Sequence, residues 1–222
     1  MNKFSLLKIF LLLLIFIAGV TTAYNIIKPE KKLKIYQPSD INPELVDESL
    51  RNKKNSHTIA DFELYDQYGD TTTQNNFEGK IYVADFFFTT CPSICPVMAS
   101  QMQRVYENYK NDDRIKFLSH TVMPEVDSVP QLLEYAQKYG EKPGKWLFVT
   151  GNKRHIYELA RKSYFAITTN GNGDEHDFIH TENFILVDTQ KRIRGFYDGT
   201  NKKDIDRLIE EIEVLFNESE IN

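Results

Sequence analysis

The stretch that decides the fold reads GKIYVADFFFTTCPSICPVM and covers residues 79–98. Its first ten residues are rich in β-branched and aromatic side chains, which is the pattern of a strand buried on both faces. Both cysteines of the chain, Cys91 and Cys95, come next, and each is followed by a proline. Pro96 is tolerated at the start of a helix, where its missing N–H costs no hydrogen bond. The stretch therefore predicts a buried strand, a short turn that carries both thiols, and a helix that begins around Cys95–Pro96.

Outward from this stretch, segments with strand spacing alternate with segments with helix spacing. Three more strands are predicted, at 57–69 (an edge strand with a turn at Tyr68–Asp70), at 115–123 and at 145–151. Three helices are predicted, at 97–110, at 128–140 with Gly140 at its end, and at 152–164 with Asn152 as its cap. A polar loop at 168–180 precedes a hairpin that turns near Asp188–Lys191 and an amphipathic helix at 201–217. This order predicts an α/β fold of thioredoxin-like type, with a mostly parallel central sheet flanked by helices and a late antiparallel hairpin.

The chain divides by composition into three parts. Residues 1–24 contain Lys3, Lys8 and a long apolar run but no acidic residue, which is typical of a signal peptide or a membrane anchor. Residues 25–56 are polar and charged and are predicted to be a linker, with a possible short helix at NPELVDESL. Residues 57–218 form the predicted domain. The two lysines favour an N-terminus in the cytoplasm, so the domain is expected on the extracytoplasmic, periplasmic side. The net charge of −5 gives no reason to expect nucleic acid as a partner.

The two cysteines leave three interpretations open. In the first, structural interpretation, the cysteines are small apolar residues or form a local disulfide, which would close a very short loop and contribute only modestly to stability. Thiol–disulfide exchange is the second interpretation, although the usual redox motif has two residues between the cysteines and this one has three. The third is a metal site, because two soft thiolates with an imidazole suit copper, especially Cu(I), and also accept Zn(II). A metal site needs a third ligand from elsewhere in the chain.

Five histidines are candidates for that ligand. His57 is expected to be exposed, His155 to lie on a helix surface, and His120 to end a strand at the sheet edge that carries the cysteines. His176 and His180 enclose the segment HDFIH at the end of the polar loop. Ligand sites in open α/β sheets gather on loops at the carboxyl ends of the strands, so either of these two could complete the site. The pattern alone does not choose between them.

Three segments together resemble the SCO/SenC family of copper chaperones, over roughly residues 57–218. They are FFFTTCPSICPVM, which matches the family's T-x-CP-x-x-CP segment, LSHTVMPEVDSVPQLLEYAQKYG, and HTENFILVDTQKRIRGFYDG, which matches its His–Ser/Thr strand and hairpin. In that family two cysteines and one histidine bind copper. Carried over by position, the resemblance implies Cys91, Cys95 and His180 as the ligands. His176 falls outside the motif.

The chain departs from the family pattern at two places near the site. Ile179 stands where the family usually has Asp, and the resemblance leaves Asp174 or Asp177 to take over that residue's support of the histidine. Met123 replaces the Asp of the family's D-P pair, while Asp127 keeps the second acidic position. Met123 is a soft donor, but a packing role is the simpler interpretation.

The resemblance implies a membrane-tethered protein rather than a classical enzyme. Its function would be to deliver copper, as Cu(I) or Cu(II), to the dinuclear site of cytochrome c oxidase in subunit II, or to another cuproprotein. It could instead prepare that site by reducing the recipient's cysteines. The alternative function is a thioredoxin-like thiol–disulfide oxidoreductase, with Cys91 and Cys95 as the redox pair.

Overall fold

A computed structural model describes residues 3–27, 31–41, 57–167, 174, 178–179 and 181–220. The chain forms two compact units, Met1–Lys32 and Leu33–Asn222. The first unit contains helix α1 (Lys3–Ile27). Within the described ranges, no helix combines the length and the apolar character that crossing a membrane requires. The possible helix at NPELVDESL lies outside the described residues.

The second unit is built on a five-stranded sheet. Its strands are β3 (Ile81–Phe87), β4 (Ile115–Thr121), β5 (Trp146–Val149), β6 (Asn183–Val187) and β7 (Ile193–Asp198), in the spatial order β5-β4-β3-β6-β7. Strands β3, β4 and β5 are parallel, whereas β6 runs antiparallel to both β3 and β7. The α/β class and the mostly parallel sheet with a late antiparallel hairpin are confirmed.

The strand predicted within 57–69 belongs to a separate small sheet. There β1 (Glu63–Tyr65) pairs with β2 (Thr71–Thr73) across a turn in which Gly69 has a φ of 82°. A single bridge joins this hairpin to the residue after β5, because the N–H and C=O groups of Tyr65 and Thr150 bond to one another at 2.9 and 2.8 Å. The sequence predicted an edge strand in this segment. In the structure the segment forms a separate hairpin, which is joined to the main sheet by one bridge only.

Helices cover both faces of the sheet. They are α2 (Ile94–Tyr109), α3 (Val129–Lys138), α4 (Lys153–Glu158), which continues into a π-helical turn at Leu159–Ser163, and α5 (Lys202–Glu220). One apolar core lies between the sheet and α2, α3 and α5, and it includes both cysteines. A second core on the opposite face contains α4 and the residues that follow it. Successive side chains of β3 point alternately into the two cores, so every residue of the strand is buried.

Local signals set the ends of several elements as the sequence predicts. Gly140, with a φ of 67°, follows the end of α3. Asn152 caps α4 by accepting a hydrogen bond from the His155 N–H at 3.0 Å. At the β6–β7 turn, Oδ1 of Asp188 accepts hydrogen bonds from the N–H groups of Gln190 and Arg192, both at 2.9 Å. These short-range contacts confirm the predicted helix stop, helix cap and hairpin turn.

Part of the predicted linker packs on the domain. The Tyr36 N–H donates to the Ile193 carbonyl at 2.9 Å, beside β7. The buried guanidinium of Arg194 donates to the carbonyls of Leu33 and Lys34 at 2.8 and 3.2 Å. The same Arg194 forms ion pairs with Asp188 at 3.0 Å and with Glu218 at 2.5 Å. Residues 33–36, which we call the strap, are therefore fastened to the domain before the predicted boundary at residue 57.

Candidate metal centre

The thiols lie at the turn between β3 and α2. The Cys91 N–H donates to the Phe88 carbonyl at 3.3 Å, which folds the chain back at the end of β3. Helix α2 begins at Ile94, so Cys95 and Pro96 occupy its first turn, where no backbone N–H has a partner within the helix. Both cysteines are reduced and nearly buried, at 6% and 5% exposure. The predicted turn that carries both thiols at a helix start is present.

The two thiols differ in acidity. Burial would raise the pKa of Cys91, but hydrogen bonds from the Cys95 thiol and from the backbone of Ser93 and Cys95 outweigh it and lower that pKa. The Ser93 hydroxyl, with Oγ 3.8 Å from the Cys91 Sγ, adds to this effect. Burial raises the pKa of Cys95 to about 12, and the hydrogen bond and negative charge of Cys91 add to the rise. Cys91 is therefore the thiol that ionises first and Cys95 the one that holds a proton.

Asp127 holds the cysteine turn in place. Its buried carboxylate accepts hydrogen bonds from the Thr89 N–H at 3.2 and 3.3 Å and from the Thr89 hydroxyl at 2.5 Å. It also accepts one from the Thr121 hydroxyl at the end of β4. The carboxylate thus ties the residue two positions before Cys91 to the neighbouring strand. From the sequence, Asp127 was identified only because it keeps an acidic position of the family pattern. Its hydrogen-bond partners were not predicted.

A second buried carboxyl group, Asp85, lies on the cysteine face of β3. Its Oδ1 accepts a hydrogen bond from the Ser119 hydroxyl at 2.5 Å, and the Ser119 Oγ accepts one from the Trp146 indole N–H at 2.9 Å. Burial raises the pKa of Asp85 to about 7, and the Ser119 hydrogen bond opposes that rise. Asp85 was not predicted from the sequence. The signal was available, because an acidic side chain in the middle of a fully buried strand needs a partner or a function.

Two histidines have surroundings that the sequence did not predict, although His120 does lie near the end of β4 as expected. His57 was expected to be exposed, but its ring packs on Phe165 with centroids 4.4 Å apart, and its Nε2 is 2.7 Å from the Ser163 carbonyl oxygen. His120 is fully buried and stacks on Phe86 at 4.8 Å, in the core on the face opposite the cysteines. Burial lowers the pKa of His120 to about 3. Neither ring belongs to the cysteine turn.

Some of the remaining candidates for the metal site lie among the residues that the structure describes, and the others lie outside them. His155 is half-buried in the first turn of α4, and Met123 packs against the core on the α4 face of the sheet. His176, His180 and Asp177 lie outside the described residues. Within the described part of the chain, no group of three or more His, Cys, Asp or Glu side chains is placed to hold a metal ion.

The described residues next to His180 in sequence are anchored close to the cysteine turn. The Phe178 ring meets the Phe88 ring edge-to-face, with centroids 5.4 Å apart, and Phe88 precedes Cys91 by three positions. Ile179 is buried in the core on the α4 face, where an aspartate could not lie without a partner. The Thr181 hydroxyl donates to the Ala166 carbonyl at 2.6 Å. The contact between Phe178 and Phe88 places residue 178 at the end of β3 that carries the thiols.

A buried dithiol at the junction of the first parallel strand and its helix defines a thioredoxin-like protein whose thiols can bind a soft metal or exchange disulfides. Residues 51–217 match the family model described as SCO1/SenC. The chain therefore belongs to the SCO1/SenC family, and the resemblance seen in the sequence is confirmed.

Solved structures of relatives agree with this assignment. A SCO1/SenC family lipoprotein from Bacillus anthracis (strain Ames) is 25% identical with a TM-score of 0.63, over 72% of this chain and 95% of the relative. BsSco, a member of the Sco family of cytochrome c oxidase assembly proteins with a disulfide switch, is 28% identical with a TM-score of 0.61, over 72% and 93%. Yeast Sco1 with copper bound is 26% identical with a TM-score of 0.54, over 71% and 89%.

Proposed function

We propose that this protein is an extracytoplasmic copper chaperone that carries one copper ion on Cys91, Cys95 and His180. Its recipient is the copper site of cytochrome c oxidase, in subunit II, or a comparable cuproprotein. The observation that carries the proposal is the buried pair of reduced thiols at the β3–α2 turn. The contact between Phe178 and Phe88, which brings the segment before His180 beside that turn, supports the choice of the third ligand.

The ligand set explains why copper would be the cargo. Two thiolates and one imidazole are soft donors that suit Cu(I), and both thiols lie where strand β3 ends and helix α2 begins. A thiol must lose its proton before its sulfur binds a metal. The lowered pKa of Cys91 favours the first bond, whereas Cys95 gives up its proton only when copper replaces it. Copper affinity is therefore expected to rise with pH over the range in which Cys95 would otherwise stay protonated.

A second function, thiol–disulfide exchange, has its own support in the unequal thiols. The Cys91 thiolate can attack a disulfide of a recipient, which forms a mixed disulfide and releases one recipient thiolate. Cys95, after losing its proton, then attacks the mixed disulfide and releases the second recipient thiolate. The recipient gains two electrons and the chain is left with a Cys91–Cys95 disulfide, which can no longer hold copper. Reduction of a recipient and release of the metal would thus use the same two sulfurs.

The copper site is tested by a titration of the chain that lacks residues 1–24. We expect about one copper per chain and a sulfur-to-copper charge-transfer band for Cu(II). His180→Ala should weaken binding by more than about 100-fold, because even losing a partner of a ligand costs about 10–100-fold in affinity. The matched control His176→Ala removes an imidazole from the same loop and should change affinity by less than about tenfold.

Two results of this titration would contradict the proposal. If the unmodified chain bound neither Cu(I) nor Cu(II), the copper site would be contradicted and the redox function would be left. A loss of binding in His176→Ala with normal binding in His180→Ala would show that the third ligand is assigned to the wrong histidine. Retention of the circular dichroism spectrum in each variant would establish that the change is local.

We further propose that residues 1–24 stay on the protein and attach it to a membrane, with 25–56 as the connection, whose strap is fastened to the domain, and 57–218 as the copper-binding domain. The apolar side chains from Ile9 to Ile17 in α1 are about half exposed or more, and such a surface needs lipid or protein to cover it. Attachment would also help the protein to reach a membrane-bound recipient, because confining both proteins to one membrane raises their effective concentration.

Membrane attachment is tested on protein isolated from cells. We expect mass spectrometry to find residues 1–24 on the mature chain and fractionation to place it with the membranes. Deleting residues 1–24 and supplying a cleavable export signal should release the domain into the soluble fraction. A mature N-terminus at Tyr24 together with a soluble protein would refute the attachment and leave the copper site untouched.

A further inference from the structure

A basic pocket lies at the edge of the sheet opposite the cysteines. Its volume is about 490 Å³, and five lysines line it: Lys80, Lys110, Lys116, Lys142 and Lys145. Three of them lie where parallel strands start, since Lys80 precedes β3, Lys116 is the second residue of β4 and Lys145 precedes β5. The cysteines follow the other end of β3, a seven-residue strand that spans about 23 Å. The pocket is therefore separate from the candidate metal centre.

The positive charge in this pocket is only partly compensated. Among the described residues that line it, Asp113 is the one acidic residue, in a protein whose net charge is −5. Lys110 pairs with Glu107 at 2.6 Å, and Lys142 donates to the neutral amide oxygen of Asn111 at 2.8 Å. Across the part of the chain that the structure describes, Lys80 and Lys116 form no ion pair. A cluster of like charges without counter-charges is destabilising, so a bound anion would stabilise it.

One lysine of the pocket, Lys145, is also held in position by the fold. The ammonium group of Lys145 donates to the backbone carbonyls of Ile115, at 2.5 Å, and of Asp112. Burial lowers the pKa of Lys145 to about 8; Asp112 and Asp113 oppose this, while Lys116 and Lys80 add to it. Burial, with a contribution from Lys80, also lowers the pKa of Lys116. Lys80, Lys116 and Lys145 therefore repel one another across the pocket, while backbone carbonyls keep Lys145 there.

We propose that this pocket binds an anion that carries a phosphate group. Lysine ammonium groups bind phosphate oxygens as point charges, and several of them converge here. The volume falls within the range of about 300–1,000 Å³ that ligand pockets occupy and exceeds what inorganic phosphate alone would fill. A soluble phosphate ester and the head group of an anionic phospholipid share this chemistry. The proposal is independent of the copper function, because the pocket shares no residue with the thiol site.

The test is calorimetric titration of the full chain in an uncharged detergent with pyrophosphate, at fixed ionic strength. We expect saturable binding by the unmodified chain and a loss of affinity of about tenfold or more in Lys80→Gln/Lys116→Gln, because hydrogen bonds to charged groups are removed. The matched control Lys202→Gln/Lys203→Gln removes the same charge from α5, outside the pocket, and should bind as the unmodified chain does.

A second titration distinguishes the two sources of phosphate. Doping the micelles with phosphatidylglycerol should weaken pyrophosphate binding if the pocket takes a lipid head group, and should leave it unchanged if the ligand is soluble. Both results support a phosphate site in the pocket. Absence of pyrophosphate binding by the unmodified chain would overturn the proposal. An equal loss of affinity in both lysine variants would also overturn it, because it would show a general effect of charge rather than a site in the pocket. Circular dichroism of both variants establishes that they are folded.

Discussion

A chain carrying His180→Ala is expected to keep most of any disulfide reductase activity in vitro but to yield no copper-loaded oxidase in cells. Thiol exchange needs an attacking thiolate and an accessible disulfide, and a histidine ligand takes no part in it. Copper held by two sulfurs alone loses its third donor and the geometry that goes with it. The measurements are reduction of a model disulfide by the purified chain and the copper content of the oxidase from cells that carry the variant.

Two matched variants make this experiment decisive. Cys91→Ser removes the thiol with the lowered pKa, so both activities should be lost. His176→Ala should retain both. Normal oxidase copper content in His180→Ala would contradict the chaperone function and favour the redox one. Loss of both activities in His180→Ala, with an unchanged circular dichroism spectrum, would contradict the assignment of His180 as a ligand that serves copper alone.

The parts of the fold that the sequence predicted correctly are set by nearby residues. The strand at 81–87 follows from its run of β-branched and aromatic side chains, and the helix start at Ile94 follows from the tolerance of Pro96 in a first turn. The turn at Asp188–Lys191 follows from an aspartate that bonds the N–H groups two and four positions later. In each case the contacts lie within a few positions, where a pattern of residue types carries the information.

The environments that the sequence did not predict arise from contacts between distant parts of the chain. His57 packs on Phe165, more than 100 positions away, and His120 stacks on a neighbouring strand in the core on the α4 face. Neither environment follows from the residues that flank the histidine in sequence. The supporting role of Asp127 was missed for the same reason, because its partners Thr89 and Thr121 meet it only when β3 and β4 pair. The cysteine turn was predicted, but the group that fixes it was not.

The strap shows that composition alone does not distinguish a free linker from a segment that packs on the domain. Its surroundings read as a polar linker because they contain many lysines and prolines, yet residues 33–36 are held by a buried arginine 160 positions away. The Leu33 N–H also donates to Glu218 at 2.5 Å, so the carboxylate that pairs with Arg194 bonds the strap directly. A free linker would make none of these contacts.

Arg194→Met is expected to lower the free energy of unfolding by about 3 kcal/mol, because removing one partner of a buried ion pair leaves the other charge uncompensated. The side chains of Arg194 and Asp188 are 3% and 2% exposed, and that of Glu218 is 15% exposed. Arg192 still pairs with Asp188 at 2.7 Å, which places the loss at the low end of about 3–5 kcal/mol. Urea denaturation of the chain that lacks residues 1–24, with and without Arg194→Met, measures this loss in the free energy of unfolding.

The matched control is Arg207→Met, since Arg207 also pairs with two carboxylates, Asp204 and Glu211, but its side chain is 40% exposed. Exposed pairs contribute about 0–1 kcal/mol, so this variant should unfold nearly as the unmodified chain does. In Arg194→Met the loss of two hydrogen bonds to the strap should also open the backbone near Lys34, and trypsin should cleave there faster than in either other chain. Equal stability losses in the two variants, or unchanged cleavage in Arg194→Met, would mean that Arg194 does not fasten the strap.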